Sequence, residues 1–326
     1  MRNPSTINHQ PSSANLKLTS ERRAFLDISF SWIFAIIIGG FILFGAIYGV
    51  TKFINIEESK TSGESALEFG TLLNPLELGI ESEKSAYISM PLNSRINNKC
   101  SVSGTFGSQA ISVDEYIRNQ WTNSEIDSYF KNKYIFSMPI EEGKGFYVFS
   151  KEFDYPFEIS SLIYLTSEND IYCFADPPAS IKKDLENIDQ KNIKIGSSCL
   201  KNGSISVCFG RKNCDIIVDY QGKTVEKDDD VVYFDSDSLM YAAIFSDKRN
   251  YECQLSRLMK RTNELIKIYE TKALDISSRG CISDTLTILN QLESYLDSYS
   301  SSEDLSQYSQ LIKNLEVKNN AQCKLW

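Results

Sequence analysis

Eight cysteines and a single histidine bound the chemistry open to this chain of 326 residues. The histidine is His9, ahead of the most apolar stretch, so everything after that stretch lacks an imidazole. Ser-His-Asp and Cys-His catalysis are excluded there, as is His-dependent zinc hydrolysis. Ser-Lys, paired-carboxylate and cysteine chemistry remain. The cysteines are Cys100, Cys173, Cys199, Cys208, Cys214, Cys253, Cys281 and Cys323. No C-x-x-C occurs, so neither a zinc ribbon nor a thioredoxin-type redox motif is supported. The Cys208–Cys214 spacing would allow a Cys-rich metal site. The even number points instead to as many as four disulfides in an oxidising compartment.

Carboxylates crowd the run "EKDDDVVYFDSDS", with Asp228, Asp229, Asp230, Asp235 and Asp237. The order is not that of a calcium loop, and the run reads first as a solvated acidic turn. Nothing in its spacing argues for a glycosidase or aspartic-protease pair. No phosphate-binding or dinucleotide fingerprint appears, and "GKG" and "GTFG" are too short to cradle a phosphate. The sequence therefore names no catalytic residue, no cofactor and no metal site, and the expectation is a protein that is not an enzyme. Asn202-Gly203-Ser204 is a glycosylation sequon in a turn-like setting, which makes Asn202 an acceptor candidate. The aromatic run at 146–159 reads as core, with a surface patch for glycan or protein contact as the alternative.

Whatever chemistry these residues do, the stretch Ile28–Val50 decides where they do it. It holds 23 residues without a charge. At about 1.5 Å per residue a helix of that length exceeds the roughly 30 Å hydrocarbon core of a bilayer. It is longer than a signal-peptide apolar region, and no A-x-A-like site follows. Lys17, Arg22 and Arg23 precede it, whereas Lys52 and then the acidic "NIEES" follow. The positive-inside rule then leaves the N-terminus cytoplasmic and the bulk of the chain extracytoplasmic. Beyond residue 53 there are 29 basic and 41 acidic residues, a net charge of −12. That balance argues against nucleic acid as a partner. Ser31, Ala35, Gly39, Gly45 and Gly49 supply small residues to the helix, with Gly45-x-x-x-Gly49 among them, and make self-association in lipid an expectation.

The remaining pattern predicts an α+β protein in five segments. A disordered tail occupies 1–24, the transmembrane helix 25–53 and a membrane-proximal linker 54–84. A β-rich extracytoplasmic domain follows over 85–248, because short β-branched and aromatic runs there are punctuated by Gly, Asn, Asp and Pro. Helices are expected at 177–188 and 114–121, and a hairpin connection at "EEGKG" (141–145). From 249 to 326 the period becomes 3.6, giving three helices at about 249–276, 283–298 and from 302 onward. Short links make these an antiparallel bundle. In that path Cys281 meets Cys323, and Cys253 reaches the β region.

Two resemblances accompany this reading. Arg22-Arg23-Ala24 followed by "FLDISFSWIFAIII" resembles the class III prepilin signal of archaeal type IV pilins and archaellins, which implies cleavage after Ala24 and a pilin-like filament or secretion-system subunit. "SFSWIFAIIIGGFILFGAIYG", "GTLLNPLELGIESEKS", "YAAIFSDKRNYECQLSRLMKR" and "CKLW" resemble uncharacterised single-pass membrane proteins of small-genome archaea, a likeness that brings no activity. The expected function is a membrane-anchored extracytoplasmic interaction or envelope-structural protein. Its partners would be membrane lipid, an unknown protein and its own second copy. The alternatives are the filament subunit and a His-independent extracytoplasmic enzyme.

Overall fold

The computed structural model describes residues 30–74, 85–123, 127–200, 203–210, 213–281, 284–321 and 323–326. The tail, the cut after Ala24 and the sequon Asn202 lie outside them. The chain divides into two units, 1–54 and 55–326.

The first unit carries most of the apolar stretch. Helix α1 runs Phe30–Leu72. Within it Trp32–Val50 has a mean hydropathy of 2.5 and none of its length is buried against protein. A helix satisfies every interior backbone group internally, so an apolar one is compatible with hydrocarbon. Space is open beside Gly39, Gly40, Gly45 and Gly49, where an added Cβ would meet nothing within 4 Å.

The second unit is built on a mostly antiparallel sheet. Its strands are β1 (Ser85–Ser101), β2 (Ser108–Ile117), β3 (Gln120–Trp121), β4 (Ser128–Phe130), β5 (Tyr134–Phe136), β6 (Ile140–Asp154) and β7 (Glu158–Ser167). They lie in the order β3-β2-β1-β6-β7-β5, with β4 also on β2. Successive side chains alternate across a sheet. Tyr134, Phe136, Phe149, Phe153, Leu162 and Tyr164 therefore face one core. Ile135, Phe146, Val148, Ile163 and Leu165 face another. Both faces are covered, so β7 is buried without a break from Ser161 to Ser167.

The second face is covered by the end of α1. Ala66, Phe69 and Leu73 are buried there. The stretch expected as a linker is thus helical as far as Leu72 and contributes to the core. Gly70 is required by the packing, since a Cβ would stand 2.0 Å from Cζ of Phe130.

The first face meets helix α3 (Asp237–Phe245) and a second sheet. That sheet holds β8 (Tyr172–Ala175), β9 (Ile193–Ile195), β10 (Ile205–Phe209), β11 (Ile216–Asp219), β12 (Thr224–Lys227) and β13 (Asp230–Tyr233). Its order is β13-β12-β11-β10-β8-β9. Helix α2 (Ala179–Ile188) connects parallel strands β8 and β9. Every residue of α3 from Ser238 to Phe245 is buried. Ser236 caps it by accepting from the Leu239 N–H at 3.3 Å. Phe245 packs edge-on against Phe149 and Tyr172.

Helices α4 (Lys248–Ser278), α5 (Thr285–Asp297) and α6 (Leu305–Ala321) close the same core. Asn263 donates to Asp297 at 2.8 Å, and Lys318 pairs with Asp284 at 3.1 Å. These contacts define the up-down-up path. Tyr251, Leu255 and Leu258 are buried as the 3.6 period requires, whereas Leu274 is 57% exposed.

Two local expectations are corrected. The segment 114–121 is strand and turn, not helix: Arg118 and Asn119 both take positive φ, 50° and 68°. They close a two-residue hairpin that sets Tyr116 opposite Trp121. "EEGKG" lies inside β6, where Gly143 and Gly145 pair with Ser94 and Ser89 across a register shift. The ring of Tyr87 fills the place of a side chain at Gly145.

Candidate functional site

Helix α4 is the organising element. Its apolar stripe is flanked by Asn250, Gln254 and Arg257, three polar residues at helical spacing that face the buried edge of β5 away from β7. Alternate carbonyls of that edge point toward them. Asn250 Nδ2 donates to the carbonyls of Ile135 at 3.2 Å and Ser137 at 3.1 Å. Gln254 Nε2 donates to Ile135 at 3.2 Å. Arg257 Nη1 donates to Lys133 at 2.9 Å and Nη2 to Lys131 at 3.0 Å. Arg257 also donates to the Phe106 carbonyl through Nε at 3.2 Å. Its buried charge meets carbonyl dipoles and the Tyr134 ring, with no carboxylate partner among the described residues. The side-chain network continues from Gln254 to Gln109 and on to Asn98. Fully satisfied polar groups of this kind fix the seat of a helix on a sheet.

Next to this seam, Cys100 of β1 is bonded to Cys253 of α4 across 153 residues. Cys281 is bonded to Cys323, Cys173 to Cys199 and Cys208 to Cys214. None of the eight is a free thiol. The pair considered for a metal site, Cys208 and Cys214, is thus a disulfide. Among the described residues no group of three or more Cys, Asp, Glu or His is placed to hold a metal ion.

Two cavities adjoin where α4 begins. One, of about 340 Å³, is lined by Lys227, Asp228, Asp230, Asp247, Lys248 and Arg249, among others. The second, of about 410 Å³, lies between the β1–β6 pair and α4. Its wall includes Lys99, Cys100, Pro139, Ile140, Asp247 and Arg249. Most of these charges are engaged. Lys248 pairs with Asp230 at 3.0 Å, and Lys99 with Asp127 at 2.9 Å. Asp247 caps α4 through the Asn250 N–H at 3.3 Å. Arg249, common to both cavities, is exposed, and its side chain has no hydrogen bond or ion pair with another described residue.

Lys227 closes the first cavity from inside. Its ammonium donates to the carbonyls of Ile244 at 3.1 Å and Ser246 at 3.4 Å, the open end of α3. Burial lowers its pKa, while Asp228, Asp247, Glu141 and Asp170 oppose that shift. Glu141 is 1% exposed and accepts from the N–H groups of Met138 at 3.1 Å and Ser167 at 2.8 Å. Burial, with the charge of Asp170 second, pushes its pKa up to about 8. Burial also raises Asp170. The ammonium is occupied by carbonyls and the carboxyl by backbone N–H groups, so this cluster braces loops and offers no free nucleophile.

The acidic run is dispersed. Asp228 and Asp229 form a turn with φ of 52° and 65°, and Asp237 accepts from the Tyr220 hydroxyl at 2.9 Å. The aromatic run is core: Phe146, Phe149, Phe153, Tyr155 and Phe157 are each no more than 2% exposed. The small residues Ala35, Gly39, Gly45 and Gly49 lie on the apolar part of α1, and Ser31 is in the same helix. The residues that the sequence did not single out are Arg249, Asn250, Gln254 and Arg257. The last three carried a signal, a polar i, i+4, i+7 stripe beside the apolar one, and Arg249 carried none. Comparison with protein families, with curated proteins and with solved structures finds no match to this chain.

Proposed function

We propose that the chain is a single-pass membrane protein with its N-terminus in the cytoplasm and residues 55–326 outside, where they serve in interaction or envelope structure. One observation carries the proposal: a 19-residue apolar helical stretch, none of it buried, precedes a body whose cysteines are all paired. Sealed thiols suit an oxidising compartment, and an exposed apolar helix suits lipid. The net charge of the body favours a partner that is neither nucleic acid nor an anionic surface. Self-association through the small residues of α1 belongs to the same proposal, as does contact with lipid.

The test is fractionation followed by thiol mass spectrometry. Cells are lysed in an alkylating reagent, and the full chain is recovered from the membrane pellet. It should resist an alkaline wash, dissolve in detergent and take up alkylating groups only after reduction. Recovery in the soluble fraction, or alkylation of the cysteines without reduction, would refute the proposal.

A further inference from the structure

We propose that the cavity between the β1–β6 pair and the start of α4 is a binding site for a monocarboxylate with a short apolar body, held through Arg249. The proposal does not rest on membrane placement, because every lining residue belongs to the 55–326 unit.

Three features favour that ligand. The first is charge. A guanidinium matches a carboxylate with two parallel N–H donors, and such charge-assisted pairs are stronger than neutral ones. Arg249 is the cavity cation whose donors are not already engaged, since Lys99 is tied to Asp127. The second is valence. The Asp247 carboxylate lines the same cavity. It would repel a dianion such as phosphate more than a monoanion, and only one uncommitted cation is there to compensate. The third is the wall. Pro139, the Cys100–Cys253 disulfide and Ile140 form an apolar side, and Ile140 remains 49% exposed. About 410 Å³ is within the range of small-ligand pockets. The polar seam beneath, from Asn250 to Asn98, fixes the floor, so the site exists before the ligand arrives.

A carboxylate of this kind has two sources, a free small acid or the C-terminus of a peptide. The full chain in detergent is titrated, with heat or backbone chemical shift as readout, against three probes. They are N-acetyl-leucine, an acetylated tetrapeptide ending in leucine with a free carboxylate, and the same peptide amidated. Saturable binding of an acid is expected, with the amide at least about tenfold weaker, a difference of about 1.4 kcal/mol. Tighter binding of the small acid assigns the free-ligand source, and tighter binding of the peptide assigns the chain end. Arg249→Gln should weaken the acid about tenfold or more, because it removes the paired charge. Its thermal midpoint should be unchanged, since the side chain is exposed and holds no partner. Arg249→Lys should fall between the two, keeping charge and losing the fork. Equal binding of acid and amide, unchanged affinity in Arg249→Gln, or no saturation below about 10 mM would overturn the proposal.

Discussion

The guanidinium of Arg257 lies 4.7 Å from the centre of the Tyr134 ring, while its Nη1 reaches the carbonyl of Lys133, one residue earlier in the chain. A single side chain on α4 thus holds both the face and the edge of the β5 region. Removing it takes one donor from each of the carbonyls of Lys133, Lys131 and Phe106. Arg257→Met, which keeps the apolar stem, should destabilise the full chain by about 2–3 kcal/mol in denaturant unfolding through the lost charge-assisted hydrogen bonds. A loss below 1 kcal/mol would mean that the carbonyls find water, and that the seam does not seat the helix.

The disulfides should rank by the length of chain they close. Cys100–Cys253 closes 153 residues, Cys281–Cys323 closes 42 and Cys208–Cys214 closes 6. Loop-entropy arithmetic gives about 5, 4 and 2 kcal/mol as upper values. Paired Cys→Ser variants compared by thermal unfolding should follow that order. The Cys281–Cys323 variant should also release the C-terminus, where Leu325 is buried. An inverted order would show that strain or residual structure, not loop closure, sets their worth.

Acidity offers a third check. Glu141 keeps its proton in the folded chain to about pH 8, whereas the unfolded carboxyl loses it near 4.5. Between those values the folded state binds more protons. Stability from this group is therefore present below about pH 4.5, declines as pH rises and levels off above about 8. The slope cannot exceed about 1.4 kcal/mol per pH unit. Glu141→Gln should flatten this window in unfolding curves collected from pH 5 to 8; an unchanged slope would place the titration elsewhere.

Two glycines with positive φ should respond differently to alanine. Gly104 has φ of 82° and open space around it, so Gly104→Ala meets only the left-handed penalty of about 1–2 kcal/mol. Gly107 has φ of 60°, and an added Cβ would stand 2.4 Å from the Ser101 carbonyl oxygen and 2.8 Å from Cγ of Arg257. Gly107→Ala should cost at least about 2 kcal/mol more, since backbone and a buried arginine must both shift. Equal midpoints for the two variants would contradict this packing.

Much of the fold was legible because its signals are periodic. The apolar stretch, the strands from 145 onward and the three C-terminal helices declare themselves through uniform, twofold or 3.6-residue patterns. Helix α3 did not, because "DSLMYAAIF" is buried on all sides and has no polar face to reveal a period. The end of α1 was read as linker because Ala66, Phe69 and Leu73 are too few to announce a core contact. The 114–121 error came from turn chemistry: two adjacent left-handed residues without glycine reverse the chain there. Arg249 was illegible for a different reason. One exposed arginine looks like any other until the strands β1 and β6 are placed across from it.

The central claim concerns sides of a membrane, and protease shaving of intact cells tests it most directly. The full chain is given a short epitope at its N-terminus, and an antibody to the 55–326 body serves as the second readout. Protease added outside should remove the body signal and leave a protected fragment bearing the N-terminal epitope. An intact body with the epitope lost from unbroken cells would contradict the account.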